Sequence, residues 1–161
     1  MNIRTEIIAH NSDAYREEID LRMRVLRAPL GLTFTPEQLA AEAGNLHIAV
    51  YLDDRMAGCL MLQPETPDDI HQAEAGAGAE EIEPDTVKMR QVAVDTPFQG
   101  RGIGRVLVTF AEEVARQHGY RRIRLAARES AIPFYSRLGY TPHGDLFEEV
   151  TLPHLEMRKS L

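Results

Sequence analysis

Val87-Lys88-Met89-Arg90-Gln91-Val92-Ala93-Val94 runs through Asp95-Thr96-Pro97-Phe98 into Gln99-Gly100-Arg101-Gly102-Ile103-Gly104-Arg105. Its first eight residues read as a strand, and a strong helix is expected from Gly102 to about His118. Ile103, Val106, Leu107, Phe110, Ala111 and Val114 recur at helical spacing and form one apolar stripe. Gly119 stands where a helix C-terminus needs a left-handed residue. Arg122–Ala127 is a second strand. Strand, helix and strand form one βαβ unit, which requires parallel strands and a right-handed crossover.

The junction between strand and helix is rich in glycine. Gly100, Gly102 and Gly104 permit positive φ angles and keep side chains out of the approach path. A helix start presents backbone N–H groups without intrahelical acceptors, at the positive end of the helix dipole. Such a junction cradles an anion, a pyrophosphate above all, and Arg101 and Arg105 add positive charge there. Two phosphate motifs are excluded. The dinucleotide fingerprint lacks its third glycine, because Arg105 stands in that place, and no Gly-Lys-Ser/Thr follows to make a P-loop.

Outward from this unit the pattern is mixed α and β. Asn2–Ala9 reads as a strand. A helix capped by Ser12 or Asp13 is expected to run to about Ala28 and to end at Pro29-Leu30-Gly31. Thr35 caps a short helix with Pro36 at its first position. Leu46–Asp53 and Met56–Gln63 flank Asp53-Asp54-Arg55 as a hairpin. Ile132–Leu138 is a short helix closed by Gly139, and Thr151–Arg158 a last strand. The length of 161 residues fits one domain, 1–161, with an α/β (α+β) fold.

Composition narrows the function. The net charge of −7 comes from one segment: Glu65, Asp68, Asp69, Glu74, Glu80, Glu81, Glu83 and Asp85 lie in a stretch without Lys or Arg. The bland reading of this Pro-, Gly- and Ala-rich stretch, a surface loop, outweighs that of a lid over a basic substrate. From Lys88 onward there are 12 basic and 8 acidic residues, enough for a local phosphate site but not for the broad basic face that nucleic acid needs. No apolar run reaches the length of a membrane span, and no signal peptide is expected. Cys59 is the single cysteine, so no intrachain disulfide forms and a reducing cytoplasm is expected. No His/Cys cluster has metal-site spacing, and no metal is expected.

Gln99-x-x-Gly102-x-Gly104 resembles the Q/R-x-x-G-x-G/A motif of the GCN5-related N-acetyltransferase (GNAT) superfamily. Met89–Val94 looks like that family's acetyl-CoA strand. Ala131-Ile132-Pro133-Phe134-Tyr135-Ser136-Arg137-Leu138-Gly139-Tyr140 is similar to its later A-x-x-F-Y-x-x-x-G-F/Y motif. The likeness is firmest over residues 86–141. Residues 24–31 and 147–157 resemble a subgroup of small bacterial acetyltransferases of unassigned substrate. The resemblance implies a central mixed sheet of about six or seven strands, about four flanking helices, and a wedge between the two central parallel strands.

It also implies acetyl-CoA as cosubstrate, held by Val92, Ala93, Val94, Gln99, Gly100, Arg101, Gly102, Ile103, Gly104, Arg105 and Phe134. The family's Asn ahead of the later motif is missing. Ser130 either takes over its contact or caps the short helix. Tyr135 matches the tyrosine that protonates the departing thiolate; a phenol of pKa ~10 is protonated at neutral pH. Glu129, Glu148, Glu149, His47 and His154 are the chemically competent bases. Cys59, in an apolar run, reads as an inert buried thiol, so transfer by direct attack is expected rather than an acyl-cysteine. The acceptor is expected to be a primary amine of a small molecule or peptide. Acidic residues near it would suit a cationic amine. A homodimer is consistent with the family. The rival readings are a non-catalytic acetyl-CoA sensor and an interaction domain using its acidic segment.

Overall fold

The computed structural model describes residues 2–64 and 85–161. Residues 65–84, with seven of the eight acids of the charged segment, lie outside the described residues, and so do the surface-loop and lid readings of that segment. Two compact units are distinguished, one of Met1–Gln63 and Arg90–Glu113, the other of Pro64–Met89 and Val114–Leu161.

Seven strands make one sheet: β1 (Ile3–Ile8), β2 (Leu46–Leu52), β3 (Arg55–Pro64), β4 (Thr86–Val94), β5 (Arg122–Arg128), β6 (Thr141–Glu149) and β7 (Leu152–Ser160), in the order β1-β2-β3-β4-β5-β7-β6. β4 and β5 are parallel, as the βαβ reading requires. The pairs β1–β2, β2–β3, β5–β7 and β6–β7 are antiparallel. The four α-helices are α1 (Asp13–Arg22), α2 (Pro36–Ala40), α3 (Ile103–Gln117) and α4 (Ile132–Arg137).

Local chemistry explains most boundaries. The Ser12 hydroxyl accepts from the Tyr15 N–H at 3.2 Å and starts α1. At α2 Thr35 and Gln38 form a reciprocal capping box, with Pro36 at the first turn. The β2–β3 turn is shorter than expected. Leu52 pairs with Arg55, and Asp53 takes φ 55°, a left-handed backbone that Asp tolerates better than most residues. Just past the end of α3, Gly119 takes φ 85° and the Tyr120 N–H reaches back to the Ala115 carbonyl. Its buried stripe is Ile103, Leu107, Val108, Ala111, Val114 and Ala115; Val106 and Phe110 flank it half-buried.

Three features depart from the sequence reading. α1 stops at Arg22, and the chain continues as a π turn over Met23–Arg27 and a 3₁₀ turn over Ala28–Leu30 before Gly31 reverses it at φ 70°. A strand over Thr141–Glu149 was not expected. Seven of its nine residues, all but His143 and Glu149, are exposed, so it has no buried apolar alternation, and Pro142 and Gly144 mask the pattern. Finally, α1 turns two charges inward. Arg22, fully buried, donates through Nη1 to Glu18 Oε2 at 2.9 Å, and through Nη1 and Nη2 to both Glu42 oxygens at 2.8 and 2.7 Å. The Tyr15 hydroxyl donates to Glu42 Oε1 at 2.8 Å. His47 Nδ1 lies 3.1 Å from Glu18 Oε2, and its Nε2 lies 3.0 Å from the Glu42 carbonyl. Both nitrogens face acceptors, so both bonds form together only in the imidazolium.

Candidate cofactor site

The candidate site begins in β4. Its parallel ladder with β5 covers Thr86↔Arg122 to Met89↔Leu125. Two residues on, Gln91 has φ 56°, a left-handed residue inside a strand. Such a residue kinks a strand and interrupts pairing, as bulges do. Beyond the kink Ala93 is buried, and Val92 and Val94 are half-buried.

The turn after β4 is tied down at both ends. The Asp95 N–H donates to the Ala57 carbonyl at 2.8 Å, its Oδ1 accepts from the Thr96 N–H at 3.0 Å, and its Oδ2 accepts from Arg24 Nη2 at 3.0 Å. Thr96–Phe98 makes a 3₁₀ turn and buries Phe98, with the Arg55 and Arg101 guanidinium carbons 5.1 and 5.9 Å from its ring centre. Gln99 Nε2 donates back to the Val94 carbonyl at 2.9 Å, so this side chain braces the loop it belongs to.

Gly100 and Gly102 have φ 77° and 79°. A Cβ built on either would meet nothing within 4 Å, so their open side faces free space that a ligand can enter. The Val106 N–H donates to the Gly102 carbonyl at 3.2 Å and starts α3, which leaves the first backbone N–H groups without an intrahelical acceptor. An anion at this point gains those donors and the helix dipole. Gly104 differs from its neighbours: it lies inside α3 without a positive φ, so the left-handed role expected of it does not apply. Ile103 is buried, which anchors the helix start, while Arg101 and Arg105 are exposed.

The second unit holds the residues of the later motif. Tyr135 on α4 is 6% exposed and packs edge-on against Phe134 and Tyr140, at ring distances of 5.0 and 5.7 Å. Burial pushes its phenol pKa well up, so it stays protonated at neutral pH. Ser130 is exposed within the 3₁₀ turn Glu129–Ala131; the N-cap of α4 is Ala131, without a side-chain bond, so Ser130 does not cap the helix.

The candidate bases separate by exposure. His47 is locked in the ionic cluster with both nitrogens engaged. His154 is buried, its Nδ1 2.9 Å from the Leu152 carbonyl, which is the structural role expected of it. Glu129 and Glu148 are exposed and Glu149 half-buried. Cys59 is fully buried, and burial raises its thiol pKa well above the ordinary range. Glu18, Glu42 and His47 bring ligand-type atoms within 4.8 Å of one another, but the cation that sits among them is the Arg22 guanidinium.

Asp95 and Gly58 escaped the sequence reading. An Asp ahead of Thr-Pro is a turn signal that marks Asp95 in hindsight. Nothing local marks Gly58, whose added Cβ would stand 3.1 Å from the Ala93 carbonyl and 3.3 Å from Ile103 Cγ2.

Comparison with known proteins agrees with this layout. The profile of the acetyltransferase (GNAT) family matches residues 9–140. The uncharacterized protein YyaT of Bacillus subtilis is 26% identical over 128 residues, covering 80% of this chain and 82% of its own. Escherichia coli ElaA superposes with a TM-score of 0.74 at 19% identity over 98% of this chain and 99% of its own. A GNAT family acetyltransferase from Elizabethkingia anophelis, solved with acetyl-CoA bound, superposes with a TM-score of 0.68 at 14% identity over 99% of both chains. With a strand-to-helix cradle in the family's motif, parallel central strands and a profile match over most of its length, this chain belongs to the acetyltransferase (GNAT) family.

Proposed function

We propose that residues 1–161 act as a single N-acetyltransferase domain that moves the acetyl group of acetyl-CoA directly to a primary amine of a small molecule or peptide. The observation that carries this reading is the β4–α3 junction, where two left-handed glycines open onto free space at a helix start. The pyrophosphate of CoA would sit on the backbone N–H groups of 100–105, with Arg101 and Arg105 adding charge. Backbone groups of Val92–Val94 would pair with the pantetheine arm, and an N–H there would polarise the thioester carbonyl.

Tyr135, kept protonated by burial, would hand its proton to the departing thiolate. Phe134 and Ser130 are assigned contacts to the cofactor on resemblance. The exposed Glu129 and Glu148 suit a water-mediated base better than the two engaged histidines. Cys59, a buried thiol, takes no part. A cytoplasmic location and a homodimer belong to the same proposal. No helix among the described residues is long and apolar enough to cross a membrane.

The test is an acceptor screen with acetyl-CoA, read by release of free thiol, beside a CoA titration followed by thermal shift. Turnover with an amine is expected. CoA-dependent stabilisation without turnover on any amine would mark a sensor instead, and absence of both would sink the reading.

A further inference from the structure

The π turn that follows α1 carries a cation that no carboxylate among the described residues answers. Wide turns of this kind cluster at functional sites, and this one carries Arg24 and Arg27. Of the neighbouring arginines, Arg22 is matched by Glu18 and Glu42, and Arg24 by Asp95. Arg27 is half-buried with its guanidinium carbon 4.4 Å from the centre of the Phe34 ring, and Arg22 lies 4.5 Å from the same ring. Arg90, half-buried just before the kink at Gln91, donates through Nη1 to Gln63 Oε1 at 2.9 Å, a neutral partner. Among the described residues no carboxylate pairs with Arg27 or Arg90.

A half-buried charge is normally paired, because desolvation is otherwise uncompensated. Arg27 shows the expected penalty. Burial and then the like charges of Arg22 and Arg90 lower its pKa, against a weaker pull from Glu42. Glu42 makes no ion pair with Arg27; its oxygens are engaged by Arg22, and one also by Tyr15. With His47 protonated, Glu18, Glu42, Arg22 and His47 sum to zero, so among the described residues Arg27 and Arg90 stand without a carboxylate partner, near enough for their like charges to act on each other. The Phe34 ring holds the Arg27 guanidinium in place, which preorganises its fork for a planar or tetrahedral oxyanion.

We infer that Arg27 and Arg90 form a subsite for an oxyanion group, a carboxylate or a phosphate, carried by the amine acceptor. This rests on the acetyl-transfer reading above, and it runs opposite to the cationic acceptor expected from the acidic segment. The experiment compares matched acceptor pairs by thiol release: β-alanine against β-alaninamide, and phosphoethanolamine against ethanolamine. At least one anionic member should be preferred in kcat/KM, and the pair that shows the preference identifies the group. Arg27→Gln and Arg90→Gln, each checked for a retained CoA-dependent thermal shift, should each cut that preference by about tenfold or more. Arg27→Lys should recover only part of it, because the charge returns without the fork. Equal use of both members of each pair by the wild type, or a preference that survives both Gln variants, would overturn the subsite. If no amine is turned over, the acetyl-transfer reading fails by itself. Calorimetry with N-acetyl-β-alanine on the CoA-bound protein then decides the subsite: binding lost in Arg27→Gln supports it, and no binding to the wild type overturns it.

Discussion

Tyr135 and Cys59 are both buried, and burial acts on each in the same direction with opposite consequences for chemistry. A phenol held protonated is a ready proton donor, whereas a thiol held protonated is a poor nucleophile. Tyr135→Phe keeps the ring packing against Phe134 and Tyr140. Its turnover is therefore expected to fall by about a hundredfold or more while CoA affinity is retained, measured by thiol release and calorimetry. Cys59→Ala should keep its acetyl transfer; loss of activity in a folded variant would restore the acyl-cysteine route. The two residues were legible to different degrees. Tyr135 stands out because a short aromatic motif surrounds it. The ionic cluster around His47 does not, because Glu18 and Arg22 on α1, Glu42 and His47 come from three stretches of the chain and read singly as solvated charges.

At the scale of elements, the β4–α3 junction depends on two kinds of glycine. Gly102 supplies a backbone conformation, at φ 79°, that costs an L-residue about 1–2 kcal/mol. Gly102→Ala is expected to lose about that much stability in urea unfolding, and to bind CoA more weakly because its methyl projects into the open space of the cradle. Gly58 supplies room: β3 approaches Ala93 and Ile103 too closely for a side chain. Gly58→Ala should cost about 1–3 kcal/mol through overpacking, seen as a lower urea midpoint with an unchanged slope. The first glycine was visible in the sequence, since a helix start after a strand calls for it. The second was not, because a close approach between β3 and β4 involves residues 35 positions apart. β6 was missed for a related reason. Most of its residues are exposed, so no buried face imposes an alternating pattern.

For the whole molecule, the ionic cluster makes stability depend on pH in two directions. The Glu42 pKa is held below its ordinary 4.5 by Arg22 and Tyr15, which outweigh its desolvation, so its contribution is present above pH 4.5 and is lost as pH falls through the depressed value. Desolvation is the largest single influence on His47 and opposes its charge, but Glu18 and Glu42 together prevail and raise its pKa above the ordinary 6.5. Its contribution is therefore full below pH 6.5 and is lost as pH rises through the raised value. Urea midpoints should form a plateau between these limits, and His47→Gln should remove the decline on the alkaline side. An alkaline decline of the same size in that variant would assign the effect to other groups. What the sequence by itself determined is local: strand, glycine turn, helix and strand in order, the caps at Ser12 and Thr35, and the family motif, all set by periodicity and backbone conformation within about twenty residues. Only the tertiary structure decided which charges are buried, which glycine makes room, and which arginines lack a carboxylate partner among the described residues, because burial and pairing depend on residues that folding brings together from distant parts of the chain.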